Sequence, residues 1–301
     1  MTNLSTFYFA GNPLTDVTFP PGLSGMTELN LSQNLLTSLT LPAGMTHLEE
    51  LDLSGNQLTN VALPNDLGSL SVLDLDRNRL TTFTFPANLT NLNFIHLRSN
   101  LFTNFALPSG LTALTFLNIG DGPLRSISLP AGLNQLRSLR IANNPNLTNL
   151  TLPRGMTNLT SANLSGNRLS NILLPPDLNR LESLDLGGNL LTNLTLPSGL
   201  INLAGLFLLG NQLTSLTLPP DMTNLVAVGC FVNPLTTLVL SEALAASTNL
   251  SVNLTTVIHM KGTNQRSDLK PARTSSENSC GCSQAAKWPP LGSSLKWMRL
   301  R

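Results

Sequence analysis

The sequence predicts a repeat solenoid, mainly β, in which stacked units share one core. Three observations predict it. Leu29 recurs every 22 residues as Leu51, Leu73, Ile95, Leu117 and Leu139, and a fixed period of this size is the mark of stacked supersecondary units. Asn34 recurs in step as Asn56, Asn78 and Asn100. Around Leu29 and Leu31 apolar residues alternate with polar ones, so each unit carries a strand with one buried face, and successive copies lie side by side as a parallel sheet spaced by ~4.8 Å.

One unit, Met26 to Leu48, justifies each element in turn. The strand carries the ladder Leu-x-x-Leu-x-Leu-x-x-Asn-x-Leu, which first appears as Leu4, Phe7, Phe9, Asn12 and Leu14 and ends as Leu225, Val228, Cys230, Asn233 and Leu235. Asn follows because a buried turn leaves backbone groups that no strand reaches, and an amide supplies both a donor and an acceptor for them. Leu36-Thr-Ser-Leu39-Thr-Leu41-Pro42 is extended and Thr-rich, and Pro42 fixes φ and removes a donor where the chain turns. Met45 to Leu48 is too short for a full helix, so a turn or a short 3₁₀ piece is expected there.

Departures from the pattern are few. Gly122 replaces the ladder asparagine, a local defect expected to matter little, and one extra residue in Asn143-Asn144-Pro145-Asn146-Leu147 should bulge a turn without breaking the stack. A single unit buries too little apolar surface to offset the ordering of its backbone, so stability must come from neighbours and the ends are weak points. At the front, Leu4, Phe7 and Phe9 are expected to face solvent; at the back, Leu240 to Met260 reads as a degraded closing repeat. Residues 1–260 therefore form one solenoid. Residues 261–301 lose the period and form a basic tail, read either as disordered or as translated out of frame.

Charge and composition narrow the function. Residues 1–260 hold 9 Lys+Arg, none of them lysine, and 14 Asp+Glu, a balance of −5, whereas residues 261–301 hold 8 and 2, a balance of +6. A mildly acidic body lacks the basic face that neutralises phosphates, so nucleic acid is not the expected ligand. No 18-residue apolar run suggests a membrane span, and residues 1–20 carry no visible secretory signal. Localisation stays open: extracellular or cell-surface if an upstream signal is missing from this chain. Cys230 sits at a core position, and Cys280-Gly-Cys282 has neither a second pair nor a tail histidine, so inert thiols are expected rather than a zinc site. Asn-Leu-Ser/Thr sequons such as those at Asn30, Asn88 and Asn163 arise from the repeat consensus itself.

The ladder resembles the leucine-rich repeat family over about residues 4–254, and its Leu-Thr-x-Leu-x-Leu-Pro half is similar to that of bacterial extracellular or surface proteins. The resemblance implies a right-handed coil with a concave parallel sheet that binds a macromolecule, most often a protein. The short tail leaves no room for the cysteine ubiquitin-ligase domain that some bacterial effectors attach to such repeats.

Specificity must lie at the non-repeating positions that flank the inward leucines and project from the sheet. Three patches stand out. Glu28, Glu50, Asp52, Asp74 and Asp76 form an acidic strip across adjacent strands, readable as a site for a basic partner or as a solvated face; calcium is not expected, because no ligand loop surrounds it, and no metal or cofactor is assigned. Phe94, His96, Arg98 and Phe116, with Arg140 two strands on, supply the aromatic and arginine groups typical of contact centres, although Arg98 could merely neutralise Asp76. Phe207, Leu209, Phe231 and Val232 form an apolar patch suited to self-association or to cover by the tail. His96 has no nucleophile and orienting group to work with, so no catalysis is expected. The sequence thus reads as a non-enzymatic protein-interaction module, or alternatively as a structural or adhesion spacer in a larger secreted or surface protein.

Overall fold

The computed structural model describes residues 4–245, 250–253, 259–261 and 298–299. Every expected ladder position forms a three-residue strand, from Thr6–Tyr8 through Glu28–Asn30, Glu50–Asp52 and Val72–Asp74 to Ala227–Gly229 and Ser251–Asn253. They line up as one thirteen-stranded sheet, parallel throughout except at its last member, Met298–Arg299, which runs antiparallel to Ser251 and Val252. Register follows the period: Leu29 faces Leu51, Leu51 faces Leu73, Leu73 faces Ile95 and Ile95 faces Leu117. The insertion after Asn143 does not disturb it, since Leu139 faces Ala162 and Ala162 faces Leu184.

The opposite side is extended, as expected, but discontinuous. Ser38–Thr40 pairs with Asn60–Ala62, Asn104–Ala106 with Ser126–Ser128, and Ser215–Thr217, Thr237–Val239 and His259–Lys261 form a triplet. Of the two forms expected after the prolines, a turn or a short 3₁₀ piece, the structure shows single turns. In the Met45 turn one bond closes, from the Leu48 N–H to the Met45 carbonyl at 3.1 Å, and a second cannot form because the Glu49 N–H already donates to Thr27 of the preceding unit at 2.8 Å. Among the described residues the one helix is Glu242–Ala245, too short to cross a membrane. It stands where earlier units carry a proline turn, and Ser251–Asn253 and His259–Lys261 then continue both sheets, so the degraded closing repeat still completes a coil.

The core is a continuous column of leucines between the two sides, with Leu29, Leu51, Leu73 and Leu117 essentially inaccessible. Cys230 takes one of these positions, and burial pushes its thiol up to about 12, which leaves it inert at neutral pH. At the front, Leu4 and Phe7 are only partly buried and Phe9 is exposed, stacked on Phe7. Within the tail, Cys280, Cys282, Trp288 and Trp297 lie outside the described residues.

The asparagine ladder does what the turn demands. Asn56 donates through Nδ2 to the carbonyls of Leu53 at 3.0 Å and of Leu31 in the preceding unit at 2.9 Å, and its Oδ1 accepts from the Leu36 N–H at 3.1 Å. Each side chain therefore ties two coils together inside the core. Gly122 interrupts this, and the interruption has a local cost. A small void of about 10 Å³ opens beside Leu97, Phe102, Gly122 and Asn144, and the buried Asn144 Oδ1 lacks the partner its counterparts have.

Candidate binding face on the long sheet

Strand register converts the non-repeating residues into three rows. The first contains Glu28, Glu50, Val72, Phe94, Phe116 and Ser138; the second contains Asn30, Asp52, Asp74, His96, Asn118 and Arg140. A third row, two residues further along each strand, holds Ser32, Ser54, Asp76, Arg98 and Gly120. Glu50, Phe94 and Arg140 are exposed, while Asp52, Asp74, Asp76, His96, Arg98 and Phe116 are half-buried. The third row sinks deepest, with Ser32 and Gly120 buried, so it presents less surface than simple alternation implies.

The acidic strip is internally hydrogen-bonded rather than loosely solvated. Asn30 Nδ2 donates to Asp52 Oδ2 at 3.1 Å, and Asp52 Oδ1 accepts from the N–H and hydroxyl of Ser54 at 2.9 and 2.7 Å. Asp74 Oδ1 accepts the Asp76 N–H at 2.9 Å, and Asp76 Oδ1 accepts the Arg98 N–H at 2.6 Å. These bonds stabilise the charged forms, yet desolvation outweighs them. Burial pushes the Asp74 carboxyl up to about 6, helped by the nearby Asp76 and Asp52 and opposed by His96. Asp76 is raised for the same leading reason, with Arg98 and His96 among the groups that oppose the rise.

Arg98 does not turn its guanidinium to Asp76. Its Nε pairs with Asp121, whose other oxygen accepts from Asn143 Nδ2 at 2.7 Å. Arg98 therefore does more than neutralise Asp76: Asp76 holds the Arg98 backbone, and the guanidinium, whose charge still acts on Asp76, pairs in the next turn. Asp121 reaches that position from the left-handed region, at φ 56, where an Asp is tolerated better than most side chains. The acidic and aromatic patches merge at His96. Its ring stacks on Phe116 with centroids 4.8 Å apart, and it sits directly across from Asp74. Phe94 leans on the same Phe116 ring at 6.3 Å. Arg140 stands apart, exposed, with Asn118 between it and His96.

The apolar patch occupies the far end of the face. Leu209, Phe231 and Val232 are exposed, and Phe207 is half-buried. A Cβ at Gly205 would come within 2.9 Å of the Phe207 ring, and Gly229, its partner on the next strand, approaches it almost as closely, so both glycines clear a bed for that ring. Sequence reading missed this pairing of glycine with phenylalanine. It also missed a set of clamps on the turns after each proline, where Asp66, Asp177 and Asp221 accept the N–H of Gly44, Gly155 and Gly199, one unit earlier, at 2.7, 2.6 and 2.6 Å. The signal was present as an Asp that replaces Gly ahead of the turn leucine.

Comparison with known proteins agrees with this architecture. Residues 2–58 match a leucine rich repeat model, residues 46–88 a model of two such repeats, and residues 115–236 the BspA type leucine rich repeat region in six copies. No curated protein sequence matches the chain. Among solved structures, an internalin (inlF) from Listeria monocytogenes superposes with a TM-score of 0.68 at 21% identity over 87% of this chain and 83% of its own. YopM from Yersinia enterocolitica gives 0.66 at 27% identity over 89% of this chain, and the functional domain of InlJ from Listeria monocytogenes gives 0.57 at 24% over 87%. The chain spans about half the length of these last two, 53% and 54%. With the ladder, the register and these matches together, the chain belongs to the leucine-rich repeat family.

Proposed function

We propose that this protein is a non-enzymatic interaction module that binds a protein partner on the long-sheet face, centred on Asp52, Asp74, Asp76, Phe94, His96, Arg98 and Phe116, with Glu50 and Arg140 at its margins. The observation that carries this reading is the Phe94–Phe116–His96 ring cluster set against half-buried carboxylates, because aromatic anchors beside partly desolvated charges are typical of binding hot spots. A partner with basic side chains fits the acidic half of the patch. The net charge of −5 over residues 1–260 favours protein over nucleic acid. The BspA-type match supports a bacterial surface setting.

The test is capture of partners from culture medium or lysate, with identification by mass spectrometry, using the wild type and an Arg98→Ala/Phe116→Ala variant. A partner retained by the wild type and lost by the variant, at comparable melting temperatures, supports a specific site; equal capture by both sinks it. Deleting two internal units in register separates this from a spacer role. A spacer tolerates the deletion, whereas removal of the units carrying Asp74 and His96 abolishes a specific site.

A further inference from the structure

Asp74, Asp76 and His96, which the partner reading places at the centre of the face, also converge on one another. One donor atom from each lies within 4.8 Å of the other two. Strand register sets Asp74 opposite His96, and the two-residue step along the strand sets Asp76 on the same face as Asp74. Each group is held in place by a contact of its own. Asp74 Oδ1 is anchored by the Asp76 N–H and Asp76 Oδ1 by the Arg98 N–H, so in each carboxylate one oxygen is fixed by the main chain. The His96 ring is pinned by its stack on Phe116.

Asp52, Asp74 and Asp76 crowd together; the charges of Arg98 and Arg77 act on Asp76, but the Arg98 guanidinium makes its ion pair with Asp121.

We propose that Asp74, Asp76 and His96 form a site for a divalent transition metal of the zinc class. Two carboxylate oxygens and one imidazole nitrogen are the borderline donor set that zinc accepts, at bond lengths of ~2.0–2.2 Å, with a fourth position open to water or to a donor from a partner. With each carboxylate anchored at Oδ1, a pivot about that bond would bring its second oxygen toward an ion held by the stacked His96 ring. Calcium is the poorer fit, because it takes six to eight oxygens at ~2.3–2.6 Å and only the two aspartates offer oxygen here. Stacking on Phe116 restrains the plane of the His96 ring, one part of what an outer-shell hydrogen bond does in other metal sites.

Zinc titration of the full chain by calorimetry tests the site, with Cys280→Ser and Cys282→Ser as background so that tail thiols take no metal. One equivalent binds, millimolar calcium does not displace it, and His96→Gln and Asp76→Asn each weaken binding at least tenfold. Both substitutions preserve shape on a half-exposed face, and an unchanged melting profile checks that each variant folds. Cobalt in place of zinc gives an absorption spectrum without thiolate bands, and that spectrum is lost in His96→Gln. Absence of saturable zinc uptake, or uptake indifferent to both substitutions, overturns the proposal. Because no partner is present in the experiment, its outcome is independent of the protein-binding reading.

Discussion

Asp76 accepts the backbone N–H of Arg98 at 2.6 Å, while the guanidinium of Arg98 turns away to Asp121. The two neighbours on adjacent strands are thus joined by a main-chain bond rather than by the ion pair their charges suggest. Asp76→Asn retains an acceptor for that N–H and removes a charge that burial disfavours, whereas Asp76→Ala removes both. We expect the Asn variant to be the more stable of the two by about 1 kcal/mol in urea denaturation. Arg98→Ala, which breaks a partly exposed ion pair, should cost under about 1 kcal/mol in the same measurement.

The asparagine ladder should be far more sensitive. Asn56→Ala strands the Leu36 N–H in the core and takes one of two amide donors from each of the Leu31 and Leu53 carbonyls, which Asn34 and Asn78 still serve, for a loss of about 2 kcal/mol. Asn12 is only partly buried and donates within its own turn, to the carbonyls of Phe9 and Ala10, so Asn12→Ala should cost under about 1 kcal/mol. Equal losses would mean that the ladder does not tie the coils together.

Asp185 gives a pH signature. Burial raises its carboxyl, against the opposing hydrogen bonds from Gly187 and Ser165, and its neighbours across the sheet, Asn163 and Phe207, carry no charge. A carboxyl whose folded pKa is raised favours the folded state when protonated, so the wild type gives up stability as pH rises from the ordinary carboxylate range through the raised value. Asp185→Asn removes that loss. Asn163 already holds the equivalent position in the preceding unit, where its Oδ1 accepts the Ser165 N–H, so the substitution fits the local pattern. The variant should melt higher than the wild type at pH 7 and no higher near pH 3.

How much of this was legible in the sequence varies with the range of the interaction. The period placed every long-sheet strand but the last, Met298–Arg299 in the aperiodic tail, and every ladder asparagine, because core positions are set by a constraint that recurs identically at Leu29, Leu51 and Leu73. The acidic strip and the Phe94–Phe116–His96 cluster followed from the same bookkeeping. What sequence could not supply was side-chain direction. Arg98 had two acidic partners in reach, and its choice of Asp121 depends on a left-handed turn residue 23 positions on. Which of the two expected forms, turn or 3₁₀ piece, follows Pro42 also depends on a distant contact, since a carbonyl one unit back, that of Thr27, claims the Glu49 N–H needed to extend the turn. The Asp66, Asp177 and Asp221 clamps were hidden because an Asp beside a proline turn looks like ordinary turn chemistry.

Hydroxyl-radical footprinting of the chain with a captured partner tests the central claim most directly. Phe94 is exposed on the long-sheet face, and Leu173 is exposed on the opposite side. Binding on the long-sheet face predicts strong protection of Phe94, His96 and Phe116 with Leu173 unchanged. Protection of Leu173 and its side, with the reactivity of Phe94, His96 and Phe116 unaltered, would contradict it.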